Sequence, residues 1–82
     1  MKEWIVYIVQ CSDGTYYCGC TNDLDRRILA HNAGHGAKYT RVRRPVRLMT
    51  SKSDLTKSEA HQLEYQVKKQ PRQKKIEFLK SS

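Results

Sequence analysis

Trp4-Ile5-Val6-Tyr7-Ile8-Val9-Gln10-Cys11-Ser12-Asp13-Gly14-Thr15-Tyr16-Tyr17-Cys18-Gly19-Cys20 is the stretch on which the fold turns. Residues 4–11 are β-branched and aromatic and apolar on both faces, and residues 15–20 continue in the same vein. That is the composition of two paired strands. Asp13-Gly14 between them signals a hairpin. Loop length decides which side chains share a face. A two-residue Asp13-Gly14 loop pairs Tyr17 with Gln10 and sends Tyr7 and Tyr17 to opposite faces. A three-residue Ser12-Asp13-Gly14 loop, with the glycine left-handed, pairs Tyr17 with Val9 and Tyr7 with Gly19. Side chains alternate with period two, so only the second register sets both phenols on one face. The three-residue loop is therefore expected, with Trp4, Val6, Ile8, Tyr16, Cys18 and Cys20 forming a core on the other face.

Downstream, Thr21-Asn22-Asp23 supplies helix-starting residues and Gly34 a stop, predicting a helix over 23–33. Leu24 and Ile28 form its inward stripe. Arg27 and His31, four apart, are neighbours along an adjacent stripe. Residues 34–45 read as a basic loop, and 46–51 alternate as a third strand. Thr56 and Glu59 have the spacing of a capping box for a helix over about 57–69, with Ala60, Leu63 and Val67 inward. Pro71 ends that helix and fits the first position of a last helix over about 71–80, with Ile76 and Leu79 inward. The predicted order is β-β-α-β-α-α: an α+β domain with a small three-stranded antiparallel sheet.

Eighty-two residues allow one domain over 1–82, burying only about 60% of its unfolded surface. Lys and Arg number 16 against 8 Asp and Glu, for a net charge of +8, a balance that favours a polyanionic partner. Three cysteines, an odd count, and a structured start close behind Met1-Lys2-Glu3 point to reduced thiols and a cytoplasmic protein. No apolar run approaches the roughly 20 residues of a membrane helix.

The chemistry-bearing residues are a phenol pair (Tyr7, Tyr17), a guanidinium (Arg27), an imidazole (His31) and a lone helical carboxylate (Glu64). Together they are the parts needed to cut a phosphodiester with one metal ion. Their order and spacing resemble the GIY-YIG nuclease family, in particular its small stand-alone bacterial members, over roughly residues 4–77. Val6-Tyr7-Ile8 stands at the first triplet and Tyr17-Cys18-Gly19 at the second. Arg27 and His31 match the helix arginine and the histidine one turn on. Lys38-Tyr39-Thr40 matches a third tyrosine position, and Glu64 the metal-binding glutamate. Val6 and Cys18 depart from the name motif, at positions that supply packing rather than chemistry. Gly19 is kept.

The resemblance implies a metal-dependent endonuclease that hydrolyses DNA and leaves 5′-phosphate and 3′-hydroxyl ends. A structure-selective role in DNA repair or recombination fits it. Glu64 would hold one divalent ion, Mg²⁺ or Mn²⁺, with waters completing the shell. Arg27 would neutralise charge growing on the phosphoryl group. Tyr7 would accept the proton of the attacking water, with Tyr17 and His31 tuning or relaying it, and Tyr39 beside them. A phenol's reference pKa near 10 is high for a base; Arg27, a nearby lysine and the metal are expected to lower it. His31 is the alternative base.

Lys38, Arg41, Arg43 and Arg44 in one segment, and Lys68 and Lys69 in another, are the candidate phosphate-contacting surface, which would position DNA without reading bases. Glu64 and Lys68 also have the spacing of an ordinary helical ion pair. Cys18-x-Cys20 with Cys11 lacks the spacing of a zinc site. His61 is expected on an exposed helix face without a ligating partner. The rival readings are a non-catalytic nucleic-acid-binding module of the same fold and an RNA nuclease or RNA-binding partner. Oligomeric state and any protein partner for targeting are not legible.

Overall fold

The computed structural model describes residues 2–82. Strands β1 (Trp4–Gln10), β2 (Tyr16–Thr21) and β3 (Arg47–Leu55) form an antiparallel sheet of order β2-β1-β3. The hairpin has the three-residue loop. Cys11 N donates to Thr15 O at 2.8 Å, Gly14 N donates to Cys11 O at 3.0 Å, and Gly14 has φ +85°. Tyr17 therefore pairs with Val9 and Tyr7 with Gly19, and both phenols share a face.

As the central strand, β1 is covered on both sides, and Val6, Tyr7, Ile8 and Val9 are all fully buried. Two cores result. On one face Val6, Ile8 and Cys18 pack with Ala60, Val67 and Leu79 from the helices α3 (Lys57–Lys68) and α4 (Lys75–Lys80). On the other, Tyr7, Val9, Cys11 and Val46 pack with Tyr17 and with Leu24 and Ile28 of α1 (Leu24–Asn32). Each aliphatic side chain so buried contributes about 1.5–3 kcal/mol. The sheet thus separates α1 from α3 and α4. Strand β2, an edge strand, is where the two sides meet.

Both long helices begin as their sequences dictate. Asp23 Oδ1 accepts from Arg26 N at 3.3 Å. Glu59 N donates to Thr56 Oγ1 at 3.1 Å while Thr56 N donates to Glu59 Oε1 at 2.8 Å, the reciprocal box.

Three boundaries depart from expectation. The predicted basic loop contains a helical turn, α2 (Lys38–Arg41), started by Thr40, whose Oγ1 accepts from Ala37 N at 3.3 Å and donates to Ala37 O at 3.1 Å. Strand β3 runs on to Leu55 because the polar residues Thr50, Ser51 and Lys52 pair with Ile8, Tyr7 and Val6; an edge strand, partly open to water, tolerates them. The last helix does not start at Pro71. That residue is extended (ψ 152°) and leads into a 3-10 turn, Arg72–Lys74, so α4 begins only at Lys75. Lys75 Nζ donates to the terminal α3 carbonyls of Val67 at 3.4 Å and Lys68 at 3.1 Å. Among the described residues no helix is long and apolar enough to cross a membrane.

Candidate active site at the sheet edge

Tyr7 and His31 are both fully buried, yet no buried side-chain polar atom among the described residues lacks a partner. Tyr7 Oη lies 2.8 Å from His31 Nε2, and His31 Nδ1 lies 2.8 Å from Thr40 Oγ1. The direction of this chain turns on the Thr40 hydroxyl at its far end. Thr40 Oγ1 is in reach of Ala37 O at 3.1 Å as well as of His31 Nδ1, and with its hydroxyl proton on Ala37 O it accepts from His31. His31 then carries its proton on Nδ1, and Nε2 accepts from the Tyr7 hydroxyl. On the other side of the phenol, Arg27 Nε donates to Tyr7 Oη at 3.4 Å. The phenolic oxygen therefore sits between a guanidinium donor and an imidazole acceptor.

Burial pushes the Tyr7 phenol up to about 12, while the Arg27 hydrogen bond and charge pull the other way. Without a metal ion, desolvation of the phenolate in a dry core outweighs one partly solvated cation. His31 is shifted down by burial and then by Arg27, so it rests neutral and able to accept. Neither works as a free base in contact with water. They form a coupled pair.

Two glycines leave room for this chain. A Cβ on Gly19 would stand 2.6 Å from Tyr7 Oη, and a Cβ on Gly36 would stand 2.2 Å from His31 Nδ1 and 2.8 Å from His31 Cα. Gly19 follows from its place opposite Tyr7. Gly36 and Thr40 as partners of His31 were missed, since both lie in the segment read as a basic loop. The signal available was Gly34-His35-Gly36, a pair of glycines just after the histidine helix.

Tyr17 extends the site toward solvent. Its ring lies edge-on to His31 (5.4 Å between centroids) and stacks on Tyr39 at 6.1 Å. The Arg43 guanidinium covers the outer face of Tyr39 at 3.9 Å. Lys68 Nζ lies 5.7 Å from the Tyr17 centroid and 2.7 Å from Glu64 Oε2, reaching over the β2 edge between the tyrosines and the carboxylate. A cleft of about 490 Å³ lined by Thr21, Asp23, Arg26 and Arg27 opens on the α1 side of that edge. A smaller one, lined by Tyr16, Tyr17, Tyr39, Lys68 and Lys75, straddles the edge.

Glu64 stands on α3, across the sheet edge from Tyr7. Burial would raise its pKa, but hydrogen bonds from Lys68 and Cys20 and the Lys68 charge outweigh it, so the carboxylate is held below its ordinary value. Lys68 engages Oε2, leaving Glu64 with a second oxygen for a cation. One carboxylate oxygen beside open solvent suits a hydrated Mg²⁺. Cys20 Sγ, 3.7 Å from His61 Nδ1, adjoins the same carboxylate, and burial pushes this thiol up to about 12. His61 is exposed as expected, but it has a partner 41 positions away in sequence.

The expected phosphate-contacting residues divide. Lys38 and Arg41 are exposed. Arg43 is engaged with Asp13 Oδ2 at 3.0 Å and Tyr39 O at 2.8 Å. Arg44 donates to Arg41 O at 2.8 Å and Asn32 O at 3.4 Å. These two lock the segment after α2 in place, with their charge still at the surface. Lys68 holds Glu64, and Lys69 lies on Tyr65 at 4.5 Å.

With this geometry in hand, the relatives are informative. A UPF0213 protein of Staphylococcus aureus is 50% identical over 80 residues, covering 98% of both chains. The solution structure of the UPF0213 protein BH0048 from Bacillus halodurans superposes with a TM-score of 0.58 at 46% identity, over 96% of this chain and 84% of that one. The protein EF2693 from E. faecalis does so with a TM-score of 0.65 at 40% identity, over 99% and 90%. The GIY-YIG catalytic domain family matches residues 3–77, and the chain belongs to that nuclease-type family.

Proposed function

We propose that the chain is a metal-dependent endonuclease that hydrolyses DNA phosphodiesters at the β2 edge, with Tyr7 and His31 acting as one base. The observation that carries this is the continuous hydrogen-bonded chain from Arg27 through Tyr7 and His31 to Thr40. A core tyrosine kept only for packing has no use for a buried acceptor and a cationic donor on one oxygen. A phosphate oxygen bound at Arg27 would lie beside the phenol. The water oxygen attacks phosphorus as the bond to the 3′ oxygen breaks. Substrate binding at the Arg27 cleft must first open the fully buried Tyr7 Oη to that water; its proton then passes to Tyr7 Oη while the Tyr7 proton passes to His31 Nε2, so no free phenolate is needed. The departing 3′ oxygen takes a proton from solvent, leaving a 3′-hydroxyl and a 5′-phosphate. The anionic phosphate offsets the Arg27 charge, which adds to burial in keeping His31 neutral at rest.

Arg27 stabilises charge on the phosphoryl oxygens through its remaining donors, an effect worth about 10²–10³ in rate for one well-aimed group. A divalent ion at Glu64, Mg²⁺ or Mn²⁺, would supply Lewis-acid polarisation of the phosphate and neutralise charge at the leaving oxygen. Lys68 keeps Glu64 ionised and aimed. Lys38, Arg41 and the Arg43-capped Tyr39 form the outer phosphate-contacting surface, with little sequence preference.

The test is incubation with supercoiled, nicked and branched DNA, and with RNA, in Mg²⁺ or Mn²⁺, beside Glu64→Ala and Arg27→Ala. Metal-dependent cutting of DNA lost in both variants is expected. Binding without cutting under either metal would establish the non-catalytic module instead, and cutting confined to RNA would change the substrate class.

A further inference from the structure

Cys20, His61 and Glu64 present one ligand atom each, all within 4.8 Å of one another. Cys20 comes from β2, where alternation turns it away from Tyr7 and toward α3. His61 and Glu64 come from α3 at i and i+3, the spacing that sets two side chains on one helix face. We propose that these three side chains form a site for a borderline transition ion of the Zn²⁺ class, which differs in donor chemistry from the oxygen-only Mg²⁺ site but draws on the same free Glu64 oxygen, so that the two ions exclude one another.

The geometry is close to what such an ion demands. Tetrahedral coordination with zinc–sulfur and zinc–nitrogen bonds near 2.3 and 2.1 Å separates the two donors by about 3.6 Å. Cys20 Sγ and His61 Nδ1 are already 3.7 Å apart. The Glu64 oxygen lies within 4.8 Å of both other donors, so that a glutamate rotamer change can bring it into the same shell. Sulfur and imidazole nitrogen select zinc, cobalt or copper over magnesium, which prefers oxygen and water. Three protein donors leave a fourth position open, the arrangement of reactive rather than purely structural zinc sites. On binding, the Cys20 thiol proton is released to solvent, giving thiolate, carboxylate and neutral imidazole around a dication. Trp4, the chain's one tryptophan, packs 5.8 Å from the His61 ring and steadies it from outside the ligand set.

The ion pair of Glu64 with Lys68 does not block the site, because it uses Oε2 and leaves Oε1. Cys11 and Cys18 are buried in the two separate cores. They therefore serve as internal controls for thiol specificity. Whether the chain cuts DNA does not enter: the assay contains no nucleic acid.

Titration of the reduced full chain with Co²⁺ tests it. Binding at one equivalent should produce a thiolate-to-cobalt charge-transfer band, intense tetrahedral d–d bands and quenching of Trp4 fluorescence. One equivalent of Zn²⁺ should erase the bands, and a large excess of Mg²⁺ should not. Cys20→Ser should remove the charge-transfer band, whereas Cys11→Ser should keep it. His61→Ala, an exposed helix substitution that leaves the fold intact, should weaken Co²⁺ binding by at least 10–100-fold. The proposal is overturned if no charge-transfer band forms at stoichiometric cobalt, if the band survives Cys20→Ser, if His61→Ala binds as the parent does, or if Mg²⁺ displaces the cobalt.

Discussion

Replacing Thr40 by valine removes one hydroxyl and keeps the side-chain volume, so it tests the buried chain without opening a cavity. The lost oxygen accepts from His31 Nδ1 at 2.8 Å and Ala37 N at 3.3 Å and donates to Ala37 O at 3.1 Å. A buried imidazole N–H stripped of its acceptor costs about 1–3 kcal/mol, and the two weaker bonds about 0.5–1.5 kcal/mol each. With partial relief by water at Ala37, the total is about 2–4 kcal/mol. For a domain of this size each kcal/mol lowers Tm by about 4–8 °C, so Thr40→Val should melt at least about 8 °C below the parent. The second effect is chemical. Without an acceptor at Nδ1, His31 moves its proton to Nε2 and can no longer take the Tyr7 proton. Cleavage should then fall by about 10²-fold or more, the scale of general-base catalysis. Thermal melts, imidazole nitrogen NMR and single-turnover cleavage read the three consequences, and Thr40→Ser should restore most of each. A Thr40→Val protein with the parental tautomer and cleavage within a few-fold of the parent would refute the directed chain.

Gly19→Ala should displace the Tyr7 hydroxyl, because the new Cβ stands 2.6 Å from it, and cost about 2–3 kcal/mol in a denaturant melt; Gly36→Ala should do at least as much, since it meets the His31 backbone. Arg27→Lys keeps the charge and loses the forked donors, so DNA binding should change little while cleavage drops at least about 10-fold. Stability should depend on pH through His31, whose pKa is held below its ordinary value by burial and then by Arg27. Between that lowered value and about 6.5 the unfolded chain binds the extra proton. The contribution is therefore complete above about pH 6.5 and is lost as pH falls through the folded value; Tm measured against pH should show this slope, and His31→Gln should flatten it.

The hairpin was readable because one loop length alone sets Tyr7 and Tyr17 on one face. Once it is fixed, alternation also assigns Cys18 and Cys20 to the opposite core. Helix starts were readable where a local side chain makes them, at Asp23 and Thr56. What escaped is non-local. Thr40 looks like one more polar residue in a basic run until His31, nine positions earlier, is seen to need an acceptor. Lys75 alters the last helix by reaching back to the α3 carbonyls, a contact no periodicity encodes. Arg43 and Arg44 looked like free cations, but Asp13 and the carbonyls of Tyr39, Arg41 and Asn32 claim them. Burial of Tyr7, which opposes the lowering by Arg27, was not legible, because charge is visible in a sequence and burial depth is not. Cys20 and His61 are ordinary residues 41 positions apart, and only the packing of α3 against the β2 edge joins them.

Single-turnover cleavage by Tyr7→Phe, set beside its DNA affinity, bears most directly on a shared Tyr7–His31 base. Loss of cleavage by about 10²-fold or more with unchanged binding is the predicted result. Cleavage by Tyr7→Phe at the parental rate, with the same metal requirement, would contradict it.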